Sequence, residues 1–75
     1  MGKKVVKLEQ NEEYITLQSL LKMTDTIQTG GMVKMFLAEE VVLVNGEQET
    51  RRGRKLYPGD IVEVLGNTFE VKGLK

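Results

Sequence analysis

Arg51, Arg52, Arg54 and Lys55 place four cationic side chains within five positions around Gly53. Arginine presents a planar fork of donors that matches a phosphate and can stack on a base, whereas lysine acts as a point charge. A cluster of this kind is suited to a polyanion. The competing reading is a solvated loop whose cations pair with Glu47, Glu49 and other acids, and exposed pairs of that sort contribute little. The cluster alone leaves both open.

A second group lies earlier in the chain, in Thr29-Gly30-Gly31-Met32-Val33-Lys34. Glycine is costly near the start of a helix, so two in succession call for a reason. One is close approach of an anion to the exposed N–H groups, with Lys34 beside them on the same face as Gly31. The other is a tight turn with close helix packing. Gln18 and Lys22, four apart on a preceding helix, share a face and are further candidates, although Lys22 taken alone reads as a solvated helix residue.

Other chemistries are excluded by what is absent. The 75 residues contain no histidine and no cysteine, which removes zinc sites, Cys-His pairs, Ser-His-Asp triads and disulfides. Carboxylate pairs, Lys or Tyr chemistry and Ser19 remain, with no local signature to support them. The expectation is therefore a non-enzyme with no cofactor and no bound metal. The net charge is formally zero, so any attraction for a polyanion must come from how charge is distributed. The amino terminus lacks an apolar leader and no run is long enough to span a membrane, which predicts a soluble, cytoplasmic protein.

The elements that must position these residues are set by pattern. Val5, Val6 and Leu8 predict an opening strand over Lys4 to Glu9. Thr16 is a predicted N-cap, with Ile15 and Leu20 as a hydrophobic staple and Leu17, Leu20 and Leu21 as the buried stripe of a helix ending near Met23 or Thr24. Thr29 is expected to cap a second helix with Val33, Phe36 and Leu37 inward. Val41 to Val44 reads as a buried strand turning at Asn45-Gly46, a type I′ hairpin signal. Pro58-Gly59 fits a type II turn. Ile61 to Leu65 and Thr68 to Lys72 predict a last hairpin through a type II′ turn at Gly66-Asn67, with Val62 and Val64 on one face and Phe69 and Val71 sharing a face. The methionines at helical spacing, Met23, Met32 and Met35, are read as core.

The sum is an α+β fold in which two short helices pack on a small, mostly antiparallel sheet, as one domain over residues 1–75. Thr16-Leu17-Gln18-Ser19-Leu20-Leu21, Thr29-Gly30-Gly31-Met32-Val33-Lys34, Val42-Leu43-Val44-Asn45-Gly46-Glu47, Arg51-Arg52-Gly53-Arg54-Lys55-Leu56 and Pro58-Gly59-Asp60 occur in an order that resembles the S-four RNA-binding domain. This is the alpha-L motif named after small-subunit ribosomal protein four, and the resemblance is nearest to its small stand-alone YaaA/YbcJ-like members. It covers roughly Thr16 to Val64. The broad family commonly has arginine in the first helix motif and Ser-Arg at the second helix, where this chain has Leu17-Gln18 and Thr29-Gly30-Gly31.

The resemblance implies a module that binds structured RNA, often ribosomal RNA, through the helix face and the adjoining basic loop. The implied contacts are Gly30, Gly31, Lys34, Arg51, Arg52, Arg54 and Lys55, with Gln18 and Lys22 as further candidates. Other RNA-bound or ribosomal proteins are possible partners. Recognition would be by shape and phosphates with little base specificity, and five basic contacts would give a slope of log affinity against log salt of order −3 to −4. Two alternatives are an adaptor on a ribosomal or replication assembly that uses Met23, Met32 and Met35, and, further off, a ubiquitin-like sulfur carrier. The latter requires a terminal Gly-Gly where this sequence reads Gly73-Leu74-Lys75.

Overall fold

The computed structural model describes residues 3–9 and 11–73. The Leu74-Lys75 end, on which the sulfur-carrier comparison turned, lies outside them, as do Met1, Gly2 and Gln10. The elements run β1 (Lys3–Lys7), β2 (Ile15–Thr16), α1 (Leu17–Met23), a 3₁₀ turn (Gly30–Met32), α2 (Val33–Glu39), β3 (Val42–Val44), β4 (Glu47–Gln48), β5 (Lys55–Leu56), β6 (Ile61–Val64) and β7 (Asn67–Lys72). This is the expected α+β architecture of two helices with a mostly antiparallel sheet.

Strand order in the main sheet is β1-β7-β6-β3-β4, and β2 pairs with β5 in a separate ribbon. Only the β1–β7 pairing is parallel in that main sheet. Alternation explains its inner face: Val42 lies opposite Val64, Val44 opposite Val62, and Val62 in turn opposite Phe69. Val6 of β1 and Leu8 just beyond it continue that face, and Leu17, Leu20, Leu21, Val33 and Leu37 cover it from the helices in one buried cluster.

α1 begins where the sequence indicates. Thr16 has extended backbone and its Oγ1 accepts from Ser19 N at 3.2 Å, which satisfies one of the donors a helix start leaves unpaired. Ile15 and Leu20 are both buried, as the staple requires. The helix closes at Thr24, whose Oγ1 donates to Leu20 O, and Asp25 comes next in the left-handed region at φ 58.

Several expectations are corrected. Thr29 takes the extended backbone of a cap, yet its side chain makes no capping bond, and the two glycines enter α2 through the 3₁₀ turn. Poor helix formers at that point allow the tighter geometry. Met23, Met32 and Met35 are exposed, Met35 by 66 %. The inward stripe of α2 is filled by Val33 and Leu37, and Met35, two residues from Val33, is turned about 200° away.

The last hairpin turns one residue earlier than predicted. Leu65 (φ 51) and Gly66 (φ 78) occupy the loop, and Val64 pairs with Asn67. Register is set at the far end, where Gly59 N donates to Val71 O and Val71 N to Asp60 O. That long-range pairing forces Leu65 into a conformation normally taken by Gly or Asn.

Candidate nucleic-acid interface

Asn45-Gly46 fixes the register of the strand that leads into the basic loop. With φ of 54 and 85 these residues form the I′ turn that pairs Val44 with Glu47 and Leu43 with Gln48. One residue further on, Glu49 stands opposite Val42, where Glu49 N donates to Val42 O at 2.8 Å. Opposed residues share a face, so Glu49 is directed to the side that holds Val42 and is only 6 % exposed.

A buried carboxylate must be paired, and the basic loop supplies its partners. Glu49 Oε2 accepts from Thr50 N, Arg51 N and Arg51 Nε at 3.0, 2.9 and 3.1 Å. Its Oε1 accepts from Arg51 Nη2 at 3.2 Å and Arg54 Nη1 at 2.8 Å. The Arg51 guanidinium is the main cause that holds the Glu49 carboxyl down to about 2 from the ordinary 4.5; burial opposes it, and the Arg51 N–H and Arg54 add to it. The expectation of weak, exposed pairs to Glu49 is thus corrected: this carboxylate is the post around which the loop is wound.

The loop is also fastened to α1. Leu17 N donates to Arg54 O at 2.9 Å and Gln18 N to Arg52 O at 3.0 Å, so donors that a helix start leaves unpaired are taken by the backbone of the cationic segment. Beyond it Lys55 and Leu56 pair with Thr16 and Ile15. A second clamp closes the base: Asn45 Nδ2 donates to Asp60 Oδ1 at 3.1 Å, and Tyr57 N and Ile61 N donate to Asp60 Oδ2 and Asn45 Oδ1.

These fastenings determine which candidate residues come together. Arg52 and Lys34 line one groove, with Leu37, Ala38, Gln48 and Thr50. Gly30 lies beside Gln18: a Cβ added there would stand 3.3 Å from Gln18 Nε2. Gln18, Gly30, Lys34 and Arg52 therefore belong to adjoining parts of one surface. Arg51, Gly53, Arg54 and Lys55 line a hollow on the loop with Tyr57 and Asp60. Among the described residues, Lys34, Arg52 and Lys55 make no ion pair, while Arg51 and Arg54 share Glu49.

Two candidates sit apart. Gly31 lines a different groove, with Met32, Met35, Asp25, Glu39 and Glu40, although it is only three residues from Lys34. Lys22 is exposed in the last turn of α1, with no described contact to the loop. Reasoning from sequence named Glu49 as a partner of the loop but missed its burial, which could have been counted from the Asn45-Gly46 register. It also missed Tyr14 and Tyr57, whose pairing depends on the two-residue strands β2 and β5; no local signal marks these.

Comparison with known proteins identifies relatives of the chain. A family model described as the S4 domain matches residues 6–72, a longer span than the Thr16 to Val64 of the motif resemblance. The chain is also similar to a protein of Bacillus subtilis (strain 168) named "Probable ribosome maturation protein RlbA", at 58 % identity over 60 residues, covering 79 % of this chain and 84 % of that protein.

Proposed function

The chain belongs to the S4 domain family, and from that premise we propose that it is a non-catalytic RNA-binding module that recognises structured RNA, with ribosomal RNA the favoured target, in the cytoplasm. The similarity to a protein named for ribosome maturation supports the ribosomal occasion. The observation that carries the reading is the double fastening of the cationic loop, to buried Glu49 and to the α1 N–H groups. A loop held on both sides presents cations in fixed positions, and A-form RNA is read chiefly by shape, phosphates and 2′-hydroxyls.

Within that mechanism Lys34, Arg52 and Lys55 make phosphate contacts as unpaired cations. Arg51 adds a fourth, since its side chain remains 75 % exposed while it binds Glu49. Arg54, at 35 %, chiefly holds the loop. Gly30 and Gln18 give a low surface between α1 and the 3₁₀ turn over which a backbone can pass. Four such contacts lower the expected salt slope to about −3.

The test is the affinity of a Lys34→Ala/Arg52→Ala variant for a structured RNA hairpin, measured by fluorescence anisotropy at about 0.1 M salt. Two lost phosphate contacts weaken binding roughly tenfold or more. Equal affinity in a variant with an unchanged melting curve contradicts the proposal.

A second reading has its own observation. Exposed Met32 and Met35, with Phe36 in the same groove and Asp25, Glu39 and Glu40 around it, give an adaptable apolar surface for a protein on the same assembly. In that case substitutions in this groove, and not in the loop, release the protein from its assembly.

A further inference from the structure

The RNA-binding reading uses the cations of the loop and leaves an aromatic pair beside them without a role. Tyr14 and Tyr57 are 37 % and 47 % exposed, so neither ring is needed to fill the core. The ribbon explains their meeting. Ile15 pairs with Leu56, which places the preceding Tyr14 across from the following Tyr57, with ring centroids 5.7 Å apart and planes tilted by 49°. Lys55 Nζ stands 5.1 Å from the centre of the Tyr14 ring, a cation–π contact that keeps the ammonium at this spot.

Tyr57 also borders the loop hollow of about 680 Å³, whose other walls are Arg51, Gly53, Arg54, Lys55 and Asp60. That volume is in the range of small-molecule sites. At Gly53 a Cβ would meet nothing within 4 Å, so the hollow is open on that side. Its walls match the two halves of a nucleotide: a π-face for the base and cations for its phosphate. A paired base inside a duplex cannot use such a ring, because its own faces are already stacked. A bulged or looped-out base can.

We propose that Tyr57, backed by Tyr14 and flanked by Arg54 and Lys55, is a stacking site for one unpaired RNA nucleotide. This inference rests on the RNA-binding reading and adds to it a preference for RNA with an unstacked base. Asp60 gives the site a direction. Its carboxylate, held by Tyr57 N and Asn45 Nδ2, repels phosphate and accepts from donors on a base edge, so the phosphate lies toward the arginines.

The experiment compares two RNA hairpins, identical except that one carries a single bulged 2-aminopurine. The wild-type protein binds the bulged hairpin about tenfold more tightly, in keeping with base–aromatic stacking, and quenches the 2-aminopurine fluorescence. Tyr57→Leu reduces the bulged hairpin to the affinity of the plain one and abolishes the quenching, whereas Tyr57→Phe retains both. Equal wild-type affinity for the two hairpins with unchanged fluorescence overturns this inference alone, as does a preference that survives in Tyr57→Leu. Failure of the wild-type protein to bind either hairpin overturns the RNA-binding reading and this inference with it.

Discussion

Glu49 shows how one residue converts a run of like charges into a defined surface. Without a carboxylate among them, Arg51, Arg52, Arg54 and Lys55 would repel one another and the loop would spread. With it, five donors converge on two oxygens. The carboxyl is held near 2, below its ordinary 4.5, so its stabilising effect is complete above about pH 4.5 and is lost as pH falls toward 2. Allowing for solvent around the exposed Arg51, this contribution is about 2 kcal/mol. Glu49→Gln is therefore expected to lower stability by about that amount at pH 7, and urea unfolding of the two proteins should converge as pH is lowered from 4.5 to 2. Curves that stay parallel over this interval would show that Glu49 does not organise the loop. For the same reason, replacing Arg51 and Arg54 together would strand a buried charge, at a cost of about 3–5 kcal/mol, and would confuse loss of fold with loss of RNA contact. Lys34 and Arg52 are the informative positions because, among the described residues, their side chains make no ion pair.

At the scale of elements, the last hairpin carries a local conflict imposed from a distance. Leu65 adopts φ 51 and the residue is 58 % exposed, so it has the strain of the left-handed region without much burial in return. Nothing in the structure explains the choice of leucine. Leu65→Asn, which restores the favoured Asn-Gly pair of a type I′ turn, should stabilise the protein by about 1 kcal/mol and raise its melting temperature by roughly 4–8 °C. A lower melting temperature would mean that Leu65 makes a packing contribution larger than the strain. This hairpin also shows what kind of structure a sequence can convey. Thr16 with Ile15 and Leu20 located α1, and Asn45-Gly46 located the β3–β4 turn, because cap, staple and I′ signals are local. The Leu65-Gly66 turn depends on the remote pairing of Asp60 with Val71, and the β2–β5 ribbon is two residues deep. Neither leaves a periodicity to read.

For the molecule as a whole, a chain with no net charge obtains a cationic surface by sorting its charges. Two of the loop arginines, Arg51 and Arg54, are gathered by one buried acid, and other carboxylates, Asp25, Glu39 and Glu40, border the methionine groove at Gly31. Arg51 to Lys55 and Lys34 were legible as candidates because residue type and clustering are visible in sequence. Their division into anchors and free cations was not, since it depends on the ladder register that buries Glu49. Similarly, the methionines have helical spacing but lie off the buried stripe. Lys34, Arg52 and Lys55, with the exposed Arg51, are proposed as the contacts to RNA phosphates, and the salt dependence of binding measures this most directly. With a structured RNA hairpin, the wild-type protein should give a slope of log affinity against log salt of about −3, and Lys34→Ala/Arg52→Ala a slope shallower by about 1.5. Identical slopes for the two folded proteins, or a wild-type affinity that does not change with salt, would contradict it.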